Sequence, residues 1–179
     1  MLRIVLDTAG DIPQEWIDEY DVRMIPINIH FGEQTFYQGI DLDNEGFYRL
    51  VDETGTIPKT SQPTPQQFVT FYRQIADPGD VVLSIHVTGK LSGTMASAEM
   101  AARELEGELH IIPFDSAAGS AAQGYMAKEA RLLERAGASV EKILERLQQI
   151  RANLQVILTL DTLEYAHMSG RVKALQAAI

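Results

Sequence analysis

Thr88, Gly89, Ser92, Gly93 and Thr94 crowd into "SIHVTGKLSGTMASAEMAAREL" (84–105), where an apolar strand pattern hands over to an alanine-rich helix pattern. Ser92 can cap a helix beginning at Thr94 while Gly93 lets the backbone approach a ligand closely, leaving first-turn N–H groups to bind an anion. The helix dipole adds only about 0.3 to 1 kcal/mol there, or about 2 when partly buried, so such a turn orients an anionic head group more than it supplies affinity. The same residues also suit a plain helix cap. As a nucleophile Ser92 would need a base, and His86 with Asp115 completes a triad on paper. No G-x-S-x-G elbow accompanies it, and His86 reads equally as a satisfied core histidine.

A second group of hydroxyls lies in "KTSQPT" (59–64). Gln62 precedes a proline and is biased toward extended backbone, which sends the side chains of Thr60 and Ser61 in opposite directions, so one of the two faces any given site. The stretch also prepares a helix cap at Thr64. Arg171, in "HMSGR", is either a solvated surface arginine or a carboxylate partner. His30, His110 and His167 show no metal-ligand spacing with Asp or Glu, and the chain has no cysteine, so neither a metal centre nor thiol chemistry is expected. The first loop, "DTAGD", carries acids where a dinucleotide pyrophosphate would sit, and there is no P-loop pattern. No cofactor is implied.

Periodicity supplies the elements that must position these groups. Strands are expected at 2–7, 81–87 and 109–114, with "VRMIPINIHF" and "QTFYQG" as a hairpin about "GE" in which Pro26 marks an edge or a strand start. Helices are expected from Pro13, over 43–53 capped by Asp43, and from Pro65 under a Thr64/Gln67 capping box with Phe68, Phe71, Tyr72 and Ile75 inward. Further helices follow from Thr94, with Met95, Ala98, Ala102 and Leu105 on one stripe, over 121–137 closed by Gly137, and from the Ser139 cap. The residues between 54 and 64 read as a loop. This alternation is that of an α/β protein, a doubly wound, mostly parallel sheet with helices on both faces. Ligands of such sheets sit beyond the carboxyl ends of the strands, where Asp7 and Thr8, Thr88 with the Ser92 turn, and Asp115 with Ser116 converge. "LQVILTL" (154–160) reads as one more strand with no return strand after it, so residues 1–152 form the main lobe and 153–179 the beginning of a second, α+β lobe.

With 179 residues, 45% of them hydrophobic and 22% charged, the chain is a globular one with a core of ordinary size. Its formal net charge of −10 and lack of basic clusters argue against nucleic acid and anionic membranes as partners. No segment reads as a signal peptide or a membrane span, so a cytoplasmic location without stable membrane insertion is expected.

"DTAGDIP", "KTSQPTPQQF", "SIHVTGKLSGTMASA", "DSAAGSAAQGYMAKEA" and "LEYAHMSGRV" together resemble, in sequence and spacing, the DegV family of bacterial fatty-acid-binding proteins. The resemblance runs along essentially the whole chain, and the pairing of "TSQP" with "LSGT" some thirty residues later is its most specific part. It implies an α/β lobe and a smaller C-terminal lobe enclosing a long-chain fatty acid, whose carboxylate is presented to a separate fatty-acid kinase subunit for acyl phosphate formation. A carrier, not a catalyst, is implied. The family's "TSQP" hydroxyls fall on Thr60 and Ser61, its "LSGT" motif on Ser92, Gly93 and Thr94, and its "GGRI" arginine on Arg171. Departures are Thr8 for the family's opening serine and Ser169 for the first glycine of "GGRI". Family chains also continue well past this motif, so the resemblance implies that most of the C-terminal lobe, with a further histidine and one tunnel wall, is missing from this sequence. An uncovered tunnel wall would promote self-association. A tail needs an apolar cleft of roughly 300 to 1,000 Å³. Ala96, Ala98, Gly119, Ala121, Ala122 and Gly124 either open one or allow close helix-to-sheet packing. A small-molecule hydrolase or transferase using Ser92, and an interaction domain without lipid function, are the alternatives.

Overall fold

The computed structural model describes residues 1–157 and 159–171, with backbone alone at Tyr165 and Ala166. Its elements in chain order are β1 (Leu2–Asp7), α1 (Gln14–Glu19), β2 (Val22–Ile25), β3 (Asn28–Phe31), β4 (Gln34–Tyr37), α2 (Asn44–Thr54), β5 (Lys59–Ser61), α3 (Pro65–Ile75), β6 (Val81–His86), α4 (Thr94–Glu104), β7 (His110–Asp115), α5 (Ala121–Arg135), α6 (Val140–Asn153) and α7 (Glu164–Met168). β2, β1, β6 and β7 form a fully parallel sheet in that order. Alternate residues of β1 and β6 face opposite layers. Ile4, Leu6, Leu83 and Ile85 meet Met126, Ala127, Ala130, Ile143 and Leu147 from α5 and α6 on one side. Val5 and Val82 meet Phe68, Val69, Tyr72, Ala98, Ala101 and Leu105 from α3 and α4 on the other. Helices on both faces of a parallel sheet are the expected doubly wound α/β arrangement.

Capping follows the sequence closely. Asp43 accepts from Gly46 N, Ser139 from Lys142 N, and Thr64 with Gln67 closes a reciprocal capping box. The expected stripe of α4 is rotated, however. Thr94, Ser97, Ala98, Ala101 and Leu105 are buried, while Met95 and Ala102 lie at its margin. Two buried hydroxyls in the first turn displace the larger Met95 from the inward face.

Three expectations about strands are corrected. "VRMIPINIHF" is not one strand, because the chain leaves the parallel sheet at Pro26, which has no N–H to give the ladder. Thr8 takes over there: its N–H donates to Ile25 O at 3.1 Å, and its hydroxyl accepts from Ile27 N at 2.9 Å. Beyond that point β3 enters a separate antiparallel sheet of order β4-β3-β5, whose apolar face, Ile29 and Phe31, packs on Leu42 and Phe47 beneath α2. The supposed loop at 59–61 is β5, paired through Asn28↔Ser61, Ile29↔Thr60 and His30↔Lys59. The supposed strand at 154–160 has no strand geometry at 154–157 or 159–160, and Leu158 lies outside the described residues. An apolar run becomes a strand only beside a partner strand, and none of the described strands pairs with it.

The small residues of α5 serve close packing. A β-carbon at Gly124 would lie 2.7 Å from Asp11 O and 3.1 Å from Ile12 Cβ, so this helix and the β1–α1 loop touch backbone to backbone. At the opposite end of the sheet, Asp80 accepts from the Met1 amino group and from Arg3 Nε, each at 2.8 Å, and from Asp77 N at 3.2 Å. These donors, the amino terminus first and then Arg3, hold the Asp80 carboxyl well below the usual carboxylate range.

Gly124→Ala is expected to destabilise the fold by about 1 to 3 kcal/mol, since the obstructing atom belongs to the backbone and cannot swing aside. A denaturant midpoint unchanged from wild type would contradict the contact. For Asp80, a depressed carboxyl contributes stability that is present above its unfolded-state value and lost as pH falls through the acid range, from about pH 5 downward. Asp80→Asn should therefore lower Tm at neutral pH and flatten the fall of Tm on acidification. Parallel Tm-versus-pH curves for the two proteins would refute that.

Candidate functional site

β1 has β2 on one side and β6 on the other, so the chain reverses direction across the sheet between β1 and β6. The crevice beyond their carboxyl ends is the place where ligands of this architecture bind. Its floor is a buried polar chain. Tyr72 OH donates to Ser84 Oγ at 2.8 Å, Ser84 Oγ lies 2.7 Å from His86 Nε2, and His86 Nδ1 lies 2.9 Å from Asp7 Oδ2. Asp7 Oδ2 also accepts from Val87 N at 3.0 Å and Gln123 Nε2 at 3.1 Å, and Oδ1 from Ala9 N at 3.0 Å. Both ring nitrogens of His86 are thereby taken. Asp115 is likewise engaged, by Gly89 N at 3.2 Å and Ala117 N at 2.7 Å. The Ser92–His86–Asp115 triad does not assemble, because each of its supports has another partner.

The rim of the crevice carries the expected hydroxyls. The turn before α4 is tied down by Leu91 N and Ser92 N, which donate to Thr88 O at 3.1 and 3.2 Å. Ser92 Oγ lies 2.8 Å from Thr94 Oγ1 and accepts from Thr94 N at 3.3 Å. The residue at the cap position is Gly93, which has no side chain to spend on the helix. A β-carbon there would lie only 2.6 Å from Gln62 Nε2, so the absence of one lets the Gln62 side chain of the "TSQP" segment lie directly against the turn. Arg171, half-buried, donates from Nε to Leu91 O at 3.3 Å. Three sequence motifs separated by up to about a hundred residues thus meet at one turn.

Ser61 and Thr60 part company as alternation requires. Ser61 shares a face with its partner Asn28 and with His30, and its Oγ lies 3.3 Å from Asn28 Nδ2 and 2.8 Å from His30 Nε2. Thr60 pairs with Ile29, and its exposed side chain belongs to the opposite face, so "TSQP" brings one hydroxyl to this cluster, not two. The Asn28 amide is itself fixed, since Oδ1 accepts from Gln67 Nε2 at 3.1 Å while Nδ2 also reaches Gln62 O at 3.2 Å and Gln67 Oε1 at 3.4 Å. Asn28, His30, Gln62 and Gln67 were not singled out from the sequence as site residues. The available signal was the alternation in "INIHF", which puts Asn28 and His30 on one face and Ile29 and Phe31 on the other.

An arrangement of hydroxyls and amides with a guanidinium nearby can hold an anionic head group by charge-assisted hydrogen bonds from uncharged donors. Of the small residues that either open a cleft or allow close packing, Ala98 and Gly124 take the second course: Ala98 is in the core and Gly124 abuts Asp11. An apolar groove of about 550 Å³ instead lies between β2, β4 and α3, lined among others by Ile25, Tyr37, Ile40, Phe71 and Gln67. Among the described residues no group of three or more histidines and carboxylates is placed to hold a metal ion, and no helix is long and apolar enough to cross a membrane.

A family model described as "Uncharacterised protein, DegV family" matches residues 1–179. Protein DegV of Bacillus subtilis is 32% identical over 179 residues, covering 99% of this chain and 63% of the relative. The crystal structure of DegV, a fatty acid binding protein from Bacillus subtilis, superposes with a TM-score of 0.89 at 31% identity over 98% of this chain and 62% of that one. A DegV family protein from Thermus thermophilus, whose structure is described by its fatty acid binding, gives a TM-score of 0.83 at 33% identity over the same shares of the two chains. The chain spans a little under two thirds of the length of these relatives. With a family match from end to end and the same fold in both solved structures, this chain belongs to the DegV family.

Proposed function

We propose that the chain carries the head-group lobe of a cytoplasmic carrier for long-chain fatty acids. In this reading Ser61, Ser92 and Thr94 surround the carboxylate, with Gly93 admitting it and Arg171 at the edge. The observation that carries the reading is the closure of Gln62 over Gly93, which puts the two hydroxyl-bearing segments side by side at the carboxyl edge of the sheet. Fatty acid binding by the Bacillus subtilis and Thermus thermophilus relatives supports it. We further assign residues 153–179 to the start of a second lobe, and Thr60 to the framing of Ser61 by its pairing with Ile29.

The carrier would present its ligand to a separate kinase subunit. A carboxylate is already an anionic oxygen nucleophile at neutral pH, so transfer of the γ-phosphoryl group of ATP to it, giving acyl phosphate and ADP, needs no general base from this chain. The engagement of both His86 nitrogens fits that division of labour. Affinity would come from the tail, about a dozen methylenes at about 0.8 kcal/mol each, on the order of 10 kcal/mol. The hydroxyls would set register.

Protein purified from cells should release an acyl chain detectable by native mass spectrometry, and delipidated protein should rebind one; failure of both sinks the proposal. Ser92→Ala should weaken a long-chain carboxylate by about tenfold to a hundredfold, the range of a hydrogen bond to a charged group, while a fatty alcohol of equal length is little affected. A serine-directed fluorophosphonate should leave Ser92 unlabelled, and stoichiometric labelling would favour a hydrolase instead. Gly93→Ala should displace the exposed Gln62 and weaken the same carboxylate with little change in Tm, because the obstructing group is the far end of a flexible side chain. Val156, Ile157, Leu160, Leu163 and Met168 are exposed, so this chain on its own should self-associate. A monodisperse monomer in light scattering would count against that.

A further inference from the structure

We propose that the groove between β2, β4 and α3, together with the acidic turn that adjoins it after β4, is a docking site for a segment of a partner protein that is apolar in its body and ends in lysine or arginine. This surface is separate from the hydroxyl cluster and stands whether or not a carboxylate binds there. The groove, of about 550 Å³, has Ile25, Tyr37 and Phe71 among its walls. Ile40 lines it too, and also lines a second pocket of about 330 Å³ whose walls include Asp41, Asp43 and Arg49, so the two are contiguous at that side chain. Ile40 is 72% exposed on a turn tied by Gly39 N donating to Leu42 O at 2.9 Å and Ile40 N to Tyr37 O at 3.0 Å. The backbone thus holds a large apolar side chain out in one fixed place, between an apolar groove and an acidic pocket. Both carboxylates of that pocket are fixed as well. Asp41 Oδ1 accepts from Tyr37 N at 2.5 Å and Asp43 Oδ1 from Gly46 N at 2.7 Å, which leaves the second oxygen of each without a partner among the described residues.

Charge identifies the occupant. Residues 33–54 carry six acids, Glu33, Asp41, Asp43, Glu45, Asp52 and Glu53, against one base, Arg49, a net −5 and half of the chain's formal −10. All six are exposed, and none is in an ion pair among the described residues, whereas Asp21, Asp80, Glu108, Glu129 and Glu134 each have a basic partner. Arg49 lines the pocket without an ion pair to either carboxylate, so the pocket keeps a net negative charge. Unbalanced carboxylates beside apolar walls are complementary to a segment that is both apolar and basic. The same charge turns other occupants away. Nucleic acid and anionic lipid are repelled as polyanions, and a fatty acid would bring a carboxylate of the wrong sign to Asp41 and Asp43. A second copy of this chain brings −10 of its own and no basic cluster. Gln67 lines the groove while its amide bonds to that of Asn28, so a docked segment lies one side chain away from the strand that Asn28 shares with β5.

The test is fluorescence anisotropy of the full chain with labelled peptides that share a leucine–valine body and an amidated C-terminus, one ending in two lysines and the other in two glutamates. The lysine peptide should bind at least about tenfold more tightly than the glutamate peptide, and the difference should shrink as salt is raised. Ile40→Ser should weaken the lysine peptide by about tenfold. Asp41→Asn combined with Asp43→Asn should do the same with Tm unchanged, because the amide oxygens keep the bonds from Tyr37 N and Gly46 N. Leu132→Ser, which removes an exposed apolar side chain from α5, should leave the affinity as it was. No binding of the lysine peptide, equal binding of the two peptides, or equal losses in Ile40→Ser and Leu132→Ser would overturn the proposal. Self-association that disappears in Ile40→Ser would make a second copy the occupant and overturn it as well.

Discussion

The arrangement depends first on Asp7 being an ionised carboxylate with no exposure to water. Burying a charge is costly unless it is hydrogen-bonded on both oxygens, and Asp7 meets that condition with four donors drawn from three places in the chain, three on Oδ2 and one on Oδ1. Burial pushes its carboxyl up, but the hydrogen bonds from His86 and from the N–H groups of Val87 and Ala9 outweigh it and hold the group below the ordinary range. The polarity of the chain then follows from its acceptor-only end. His86 Nδ1–H donates to Asp7, its bare Nε2 accepts from Ser84, and Ser84 accepts from Tyr72, whose phenol burial keeps protonated. A Ser–His–Asp sequence occurs here with its serine sealed under a tyrosine, and the geometry is spent on structure.

This pairing also determines where the two central loops begin. Val87 N and Ala9 N leave the strands already bonded to the same carboxylate, so the turns after β1 and β6 start from one point. From the first, Thr8 reaches across to Ile25, Ile27 and Gln38 and carries the small antiparallel sheet with it. From the second, Thr88 O anchors the turn that ends in Ser92. The hydroxyls of the two motifs are thus separated in sequence but hang from one buried charge. Gly124 completes the arrangement by letting α5 come close enough for Gln123 to reach Asp7.

The parts legible in the sequence were those decided locally. Caps at Asp43, Thr64 and Ser139 follow from side chains within three residues of the helices they start, and the apolar runs of β1 and β6 declare themselves because they are buried on both faces. What was not legible depended on distant partners. Lys59, Thr60 and Ser61 have no apolar alternation and become a strand only because β3 offers an edge. Pro26 signalled an interruption, but not that the chain would change sheets there. Ser61 and Ser92 stood out by motif, whereas Asn28 and His30, which lie within hydrogen-bond distance of Ser61, looked like the polar side of an ordinary strand. His86 was the reverse case: a residue of catalytic type whose buried partners leave it no site to serve.

Holding a carboxylate by hydroxyls rather than by a buried ion pair would have a consequence for the proposed carrier. A desolvated arginine–carboxylate pair is bidentate and strong, and it would withdraw charge from the oxygen proposed to attack phosphorus. Hydroxyl and amide donors fix the direction of the head group while leaving more of that charge on the oxygen. Arg171 suits this restraint, because its Nε is already committed to Leu91 O and one edge of the guanidinium is spent on the turn. Since the tail is asked for about 10 kcal/mol and one rim hydroxyl for about 1.5 to 3 kcal/mol, loss of a rim hydroxyl would weaken the carboxylate without abolishing the contribution of the tail.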